Sequence, residues 1–91
     1  MNAAQLQKTL TASEYAERVL RLHPQEVEQD YATDQFLTPL STAQIYQYVQ
    51  DTVVNISDET QWMSVMRILR ARLMFRWIWQ DANQLTNVVT L

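Results

Sequence analysis

The sequence predicts an all-α fold, a small bundle of three to four helices around one long C-terminal helix at about 58–82. Three observations lead there. The 91 residues contain no Gly and only two Pro, Pro24 and Pro39, which argues against a β-rich fold built on tight turns. Residues 55–81, NISDETQWMSVMRILRARLMFRWIWQD, hold neither breaker and open on polar residues suited to cap a helix. Within that stretch apolar residues recur at helical spacing.

The front of the chain is modest. Residues 1–11 are polar and weakly patterned, and predict a frayed or short N-terminal helix; residues 12–91 read as one helical unit. Ser13 is placed to cap a helix running to about Leu22, with Tyr15, Val19 and Leu22 as its apolar stripe and Ala12 and Ala16 as small packing positions. Glu14 and Arg18 stand i,i+4 in the order that supports a helix locally. His23-Pro24 ends that element, because the residue before a proline is pushed out of the α region. Pro24 then suits the first position of a short helix at about 24–32, carrying Val27 and Tyr31 inward. Its acids, Glu26, Glu28, Asp30 and Asp34, form a solvated face or supply partners to arginines elsewhere.

Phe36 and Leu37 read as a hydrophobic anchor before a corner at Thr38-Pro39. Ser41 and Gln44 have the spacing of a capping box, so a helix to about Val54 follows, with Ile45, Tyr48, Val49 and Thr52 or Val53 turned inward.

The long helix starts at Ser57 or Asp58, either of which can cap it, with Gln61 three residues after Asp58. At ~100° per residue, Trp62, Met66, Leu69, Leu73 and Trp77 share one face, and Val65, Ile68, Phe75 and Trp79 spread over an adjacent one. Two apolar flanks need two layers to pack against, whereas a helix on the surface of a small domain needs one. Arg67 and Arg70 fall on the polar side. Arg72 and Arg76, i and i+4, fall between the apolar flanks and are the candidate structural or interdomain ion-pair residues, since a guanidinium there must snorkel or meet an acid. Leu85, Val88 and Val89 could extend the helix, and the end at Leu91, without Gly or Pro, reads as cut rather than finished.

Charge and composition exclude several functions. The net charge is −3. Residues 1–57 carry seven acids against Lys8, Arg18 and Arg21, and residues 58–91 three acids against four arginines. That asymmetry suits neutralisation of the long helix by the front of the chain, and is a poor profile for nucleic-acid binding. No apolar run reaches the ~20 residues of a membrane span, and the N-terminus lacks the pattern of a secretory signal; the expected location is cytoplasmic. With no Gly there is no phosphate loop or dinucleotide fingerprint. With no Cys and His23 as the single His, the common zinc sites and Cys–His or Ser–His nucleophiles are out of reach. No catalytic, cofactor-binding or metal-binding residue is expected.

Two segments carry a family resemblance. Asn55-Ile56-Ser57-Asp58-Glu59, followed by Met63, Arg67, Arg70, Arg72, Met74, Arg76 and Trp79, resembles the helix that precedes the first catalytic domain of the glutamine synthetase adenylyltransferases, the bifunctional adenylyltransferase/adenylyl-removing enzymes. Ser13-Glu14-Tyr15 through Leu22-His23-Pro24 resembles that family's N-terminal segment, in the right order and at similar spacing. Together the matches cover about residues 12–82. The chain departs from the pattern at Leu73 and Gln80, where many relatives carry charge, and at Trp77, where Ile is usual.

The resemblance implies a large parent with two nucleotidyltransferase domains, using ATP and Mg²⁺, that adenylylates a tyrosine of glutamine synthetase and removes AMP by phosphorolysis under control of a PII protein. The family's glycine-rich catalytic segment and S-D-x-D metal pair have no counterpart here, and Ser57-Asp58 is not that pair. The chain is then expected to be a non-catalytic N-terminal segment, preceding an absent nucleotidyltransferase domain and inactive alone. Its partners would be the rest of the parent enzyme and, through it, glutamine synthetase and PII. A stand-alone helical adaptor, docking a protein or a second copy of itself, is the alternative.

Overall fold

A computed structural model describes residues 1–54 and 56–83. The described residues form five helices and no strand: α1 (Ala3–Ala12), α2 (Glu14–Leu22), α3 (Pro24–Asp34), α4 (Thr42–Val53) and α5 (Glu59–Ala82). The fold is all-α with its long helix last, as the sequence predicts. The expected extension through Leu85, Val88 and Val89 lies outside the described residues.

The helix starts follow the capping chemistry. Ser13 accepts from the N–H of Ala16 at 3.1 Å. Ser41 and Gln44 make the reciprocal capping box, at 3.2 and 2.8 Å. At α5 it is Asp58 that caps, accepting from Gln61 N–H at 2.8 Å, while the Gln61 side chain reaches one residue further back, to Ser57 N–H. Pro24 opens α3, and His23 is the junction between α2 and α3 without making a side-chain cap.

Helices α1, α2, α3 and α4 each pack against α5, and α4 packs on no other helix. The core lies at the C-terminal half of α5, where Ala71, Phe75 and Trp79 meet Ala16 and Val19 of α2, Val27 of α3 and Phe36, with Leu6, Leu20, Tyr31 and Ile78 at its margin. Aromatic edges meet faces there: Trp79 stands 5.3 Å from Tyr31 and 5.6 Å from Phe36, centroid to centroid, as the ring quadrupole favours. On α2 the buried stripe is Ala16 and Val19 with Leu20 beside them, whereas Tyr15 and Leu22 are exposed; α2 is turned toward its small residues so that it can lie close to α5. The α2 ion pair that forms is Glu17–Arg21 at 3.7 Å, one turn-face away from the expected Glu14–Arg18.

The first and last helices are tied together. Asn83, just beyond α5, donates through Nδ2 to Gln5 O, Thr9 Oγ1 and Trp79 O at 3.2, 3.0 and 2.9 Å. Thr9 itself is fully buried and donates to Gln5 O. Of the two expectations for residues 1–11, α1 is the short helix, and it is docked against α2 and α5.

Helix α3 runs two residues beyond the expected 32 and ends in an unusual turn. Gln35 and Phe36 both adopt positive φ, 57° and 56°. Such a pair drives the Phe36 ring back into the core, where it is buried, and leaves Leu37 in solvent. An L-residue in this region carries a steric cost of about 1–2 kcal/mol. The Gln35 side chain is exposed, so Gln35→Gly relieves that cost without removing a buried group. After the entropy that Gly adds to the unfolded chain, the expected net gain is ~0.5–1 kcal/mol, read as a raised thermal midpoint; an unchanged or lowered midpoint refutes the account of the turn.

Candidate functional site

Asp30 and Asp34 stand i,i+4 on α3, and Arg72 and Arg76 stand i,i+4 on α5. The two spacings mesh. Arg72 forks onto Asp30, with Nε to Oδ2 at 2.9 Å and Nη2 to Oδ1 at 2.6 Å. Arg76 forks onto Asp34, with Nη1 to Oδ1 at 3.0 Å and Nη2 to Oδ2 at 2.6 Å. Fork-on-fork pairing is the arrangement guanidinium and carboxylate geometry favours. Because the residue numbers rise together on both helices, α3 and α5 run in the same sense.

Each guanidinium also rests on an aromatic ring: Arg72 lies 5.1 Å from the Tyr48 centroid and Arg76 lies 5.3 Å from that of Phe36, within cation–π range. Arg76 donates once more, to Thr38 O, and Gln80 Nε2 donates to Phe36 O at 3.3 Å. The turn at 34–38 is thus sewn to α5 by two side chains. The Arg76 guanidinium holds the Asp34 carboxyl below the usual carboxylate range; partial burial opposes this, and the Phe36 N–H, bonded to Oδ1 at 3.0 Å, helps it. Burial, with the Asp30 carboxylate adding to it, pushes the Tyr48 phenol up to about 12 against the pull of Arg72.

The rest of α5 is organised differently. The flank that carries Trp62, Met66, Leu69, Leu73 and Trp77 is covered only in part by the helices described: Leu69 is buried and Met66 and Leu73 are half-buried. Of the three indoles, Trp79 is buried, but Trp77 is 64% exposed and Trp62 45%. Between α4 and α5 opens an apolar groove of about 430 Å³, with Ile45 and Val49 on one wall, Leu69, Leu73, Met74 and Trp77 on the other, and Leu40 at one end. Arg70 stands on its rim and, with Arg67, is exposed. Helix α4 contributes no fully buried residue.

Of the residues singled out in the sequence, Arg72 and Arg76 meet Asp30 and Asp34 of the acidic stretch. Sequence reasoning did not find the groove, because periodicity distributes apolar residues into flanks without saying which flank a neighbour covers. Of Ser57 and Asp58, it is Asp58 that caps α5. Among the described residues no group of three His, Asp or Glu is placed to hold a metal ion, and no helix is long and apolar enough to cross a membrane.

These features define a class: a small all-α helical unit, closed on one side by an ionic ladder and an aromatic core and open along an apolar groove on the other. The sequence model described as glutamate-ammonia ligase adenylyltransferase matches residues 3–91, and the chain belongs to that family. Over all 91 residues it is 65% identical to the bifunctional glutamine synthetase adenylyltransferase/adenylyl-removing enzyme of Acinetobacter baylyi. The match takes in 100% of this chain and 10% of that relative, at its N-terminal end. No solved structure matches.

Proposed function

We propose that this chain is the non-catalytic N-terminal helical segment of an enzyme that adenylylates and deadenylylates glutamine synthetase, and that it packs against the downstream adenylyl-removing nucleotidyltransferase domain. The observation that carries this is the open flank of α5. A helix burying Phe75 and Trp79 while leaving Trp77 and Trp62 largely in water has an apolar surface that these five helices cover only in part, and large exposed patches mark interaction sites. The match to a tenth of a far longer relative supports supplying the missing layer from the same polypeptide. ATP and Mg²⁺ would be handled there, and contacts with glutamine synthetase and PII would be made by the cytoplasmic parent as a whole.

The ladder is structural in this reading. Arg72 and Arg76 are neutralised by Asp30 and Asp34 and hold α3 and the 34–38 turn against α5. A calorimetric titration of the chain with ATP, AMP and phosphate in the presence of Mg²⁺ is expected to give no saturable heat; saturable binding of any of the three defeats the assignment. The open flank would equally serve a stand-alone adaptor. Sedimentation of the chain mixed with the separately produced remainder of the parent distinguishes the two, since only a segment of the parent forms a complex with it.

A further inference from the structure

On α5 the residues Met63, Met66, Arg70, Leu73 and Trp77 follow one another at separations of three and four, with Met74 beside Leu73 widening the seam. That is the seam spacing by which one helix receives another. The seam is ~21 Å long at 1.5 Å per residue. Ile45 and Val49 of α4 face it across the groove, so a docked helix would touch two walls rather than one. Three of its members are methionines, whose flexible thioethers adapt to a partner surface.

The charge on the seam narrows the occupant. Among the described residues Arg72 and Arg76 have acidic partners, and neither Arg70 nor Arg67 has one. A second copy pairing through this seam about a two-fold axis at its middle would set Arg70 against its own copy, since such an interface is self-complementary. Like charges directly opposed disfavour that arrangement. An acid on the incoming helix at that level satisfies it.

We propose that the α4–α5 groove receives an amphipathic helix from the part of the same polypeptide beyond these 91 residues, with an acidic side chain set against Arg70. This rests on the packing role proposed above. It assigns the contact to one groove and one chemistry. Tethering supplies such a helix at an effective concentration of about millimolar, so a modest interface suffices.

Hydroxyl-radical footprinting read by mass spectrometry tests it, since Met and Trp are oxidised in proportion to their access. In the full-length polypeptide, Met74 and Trp77 are expected to react severalfold more slowly than in the 91-residue chain. Arg70→Glu in the full-length polypeptide should restore their reactivity, and Arg70→Lys should keep them protected; circular dichroism of each variant checks that its helices persist. Equal reactivity in the two contexts overturns the proposal. So does protection that Arg70→Glu leaves intact, which would remove the acidic partner. Protection that already grows with concentration in the 91-residue chain also overturns it, in favour of a second copy. If the chain binds the separately supplied remainder while Trp77 stays reactive, the packing role stands and the groove assignment falls.

Discussion

Trp79→Ala is expected to destabilise the chain by ~3–5 kcal/mol, the range for emptying a fully buried large aromatic site. Trp79 is fully buried and its ring touches Tyr31, Phe36 and Phe75. One substitution therefore opens a void shared by α3, α5 and the 34–38 turn. For a domain of this size each kcal/mol moves the thermal midpoint by about 4–8 °C, so the variant should lose much of its folded population near physiological temperature. Trp77→Ala, two residues away, removes the same side chain from a largely exposed position and should cost less than about 1 kcal/mol. Urea unfolding followed at 222 nm compares them, and similar losses at the two positions would mean that the buried face has been misassigned. Trp79→Phe should fall between. It gives up volume, but also removes an indole N–H that is buried without a partner among the described residues, and an unpaired buried donor costs about 1–3 kcal/mol.

The second large effect is at Arg76. Arg76→Ala leaves the Asp34 carboxylate without its fork, Thr38 O without a donor and the Phe36 face without its cation. Breaking a fully buried pair costs about 3–5 kcal/mol. Here the Asp34 side chain is 34% exposed, so water screens part of that loss and ~2–3 kcal/mol is expected. A double-mutant cycle with Asp34→Ala should return a coupling above the ~0.5 kcal/mol at which such cycles resolve contact; a cycle that closes at zero removes the ladder from the account of stability.

The same pair sets an acid limit. Because the folded-state value of Asp34 lies below the unfolded one, its ionised form favours the fold. That contribution is complete above the unfolded value of about 3.9 and is lost as pH falls through the lower folded value. Stability measured from pH 5 downward should therefore decline in that window, and Asp34→Asn, already lacking the charge, should show a shallower decline.

Much of this was legible in the residues. Ser13, Ser41 and the Ser57-Asp58 pair announced three helix starts, because caps are local chemistry that needs no knowledge of neighbours. Arg72 and Arg76 announced ion pairs, because a guanidinium at an apolar angle has few alternatives, and the acids of 26–34 were the natural candidates. The pairing register was not legible. It depends on where α3 ends, and no residue in Gln35-Phe36 advertises left-handed backbone as Gly or Asn would. Nor could the pattern choose between the flanks of α5. Trp77 and Trp79 look alike as letters, and the layer that buries only one of them comes from helices whose docking is a long-range outcome. The same reason hid the docking of α1, which is tied to the end of α5 through Thr9 and Asn83.

The matched four-residue spacing on α3 and α5 also governs how those helices can move. Sliding one along the other by four residues, ~6 Å, brings Arg72 opposite Asp34 and strands Asp30 and Arg76; smaller slips satisfy none of the four. The opposite slip likewise keeps one pair, Arg76 with Asp30, so only the observed register satisfies all four groups at once.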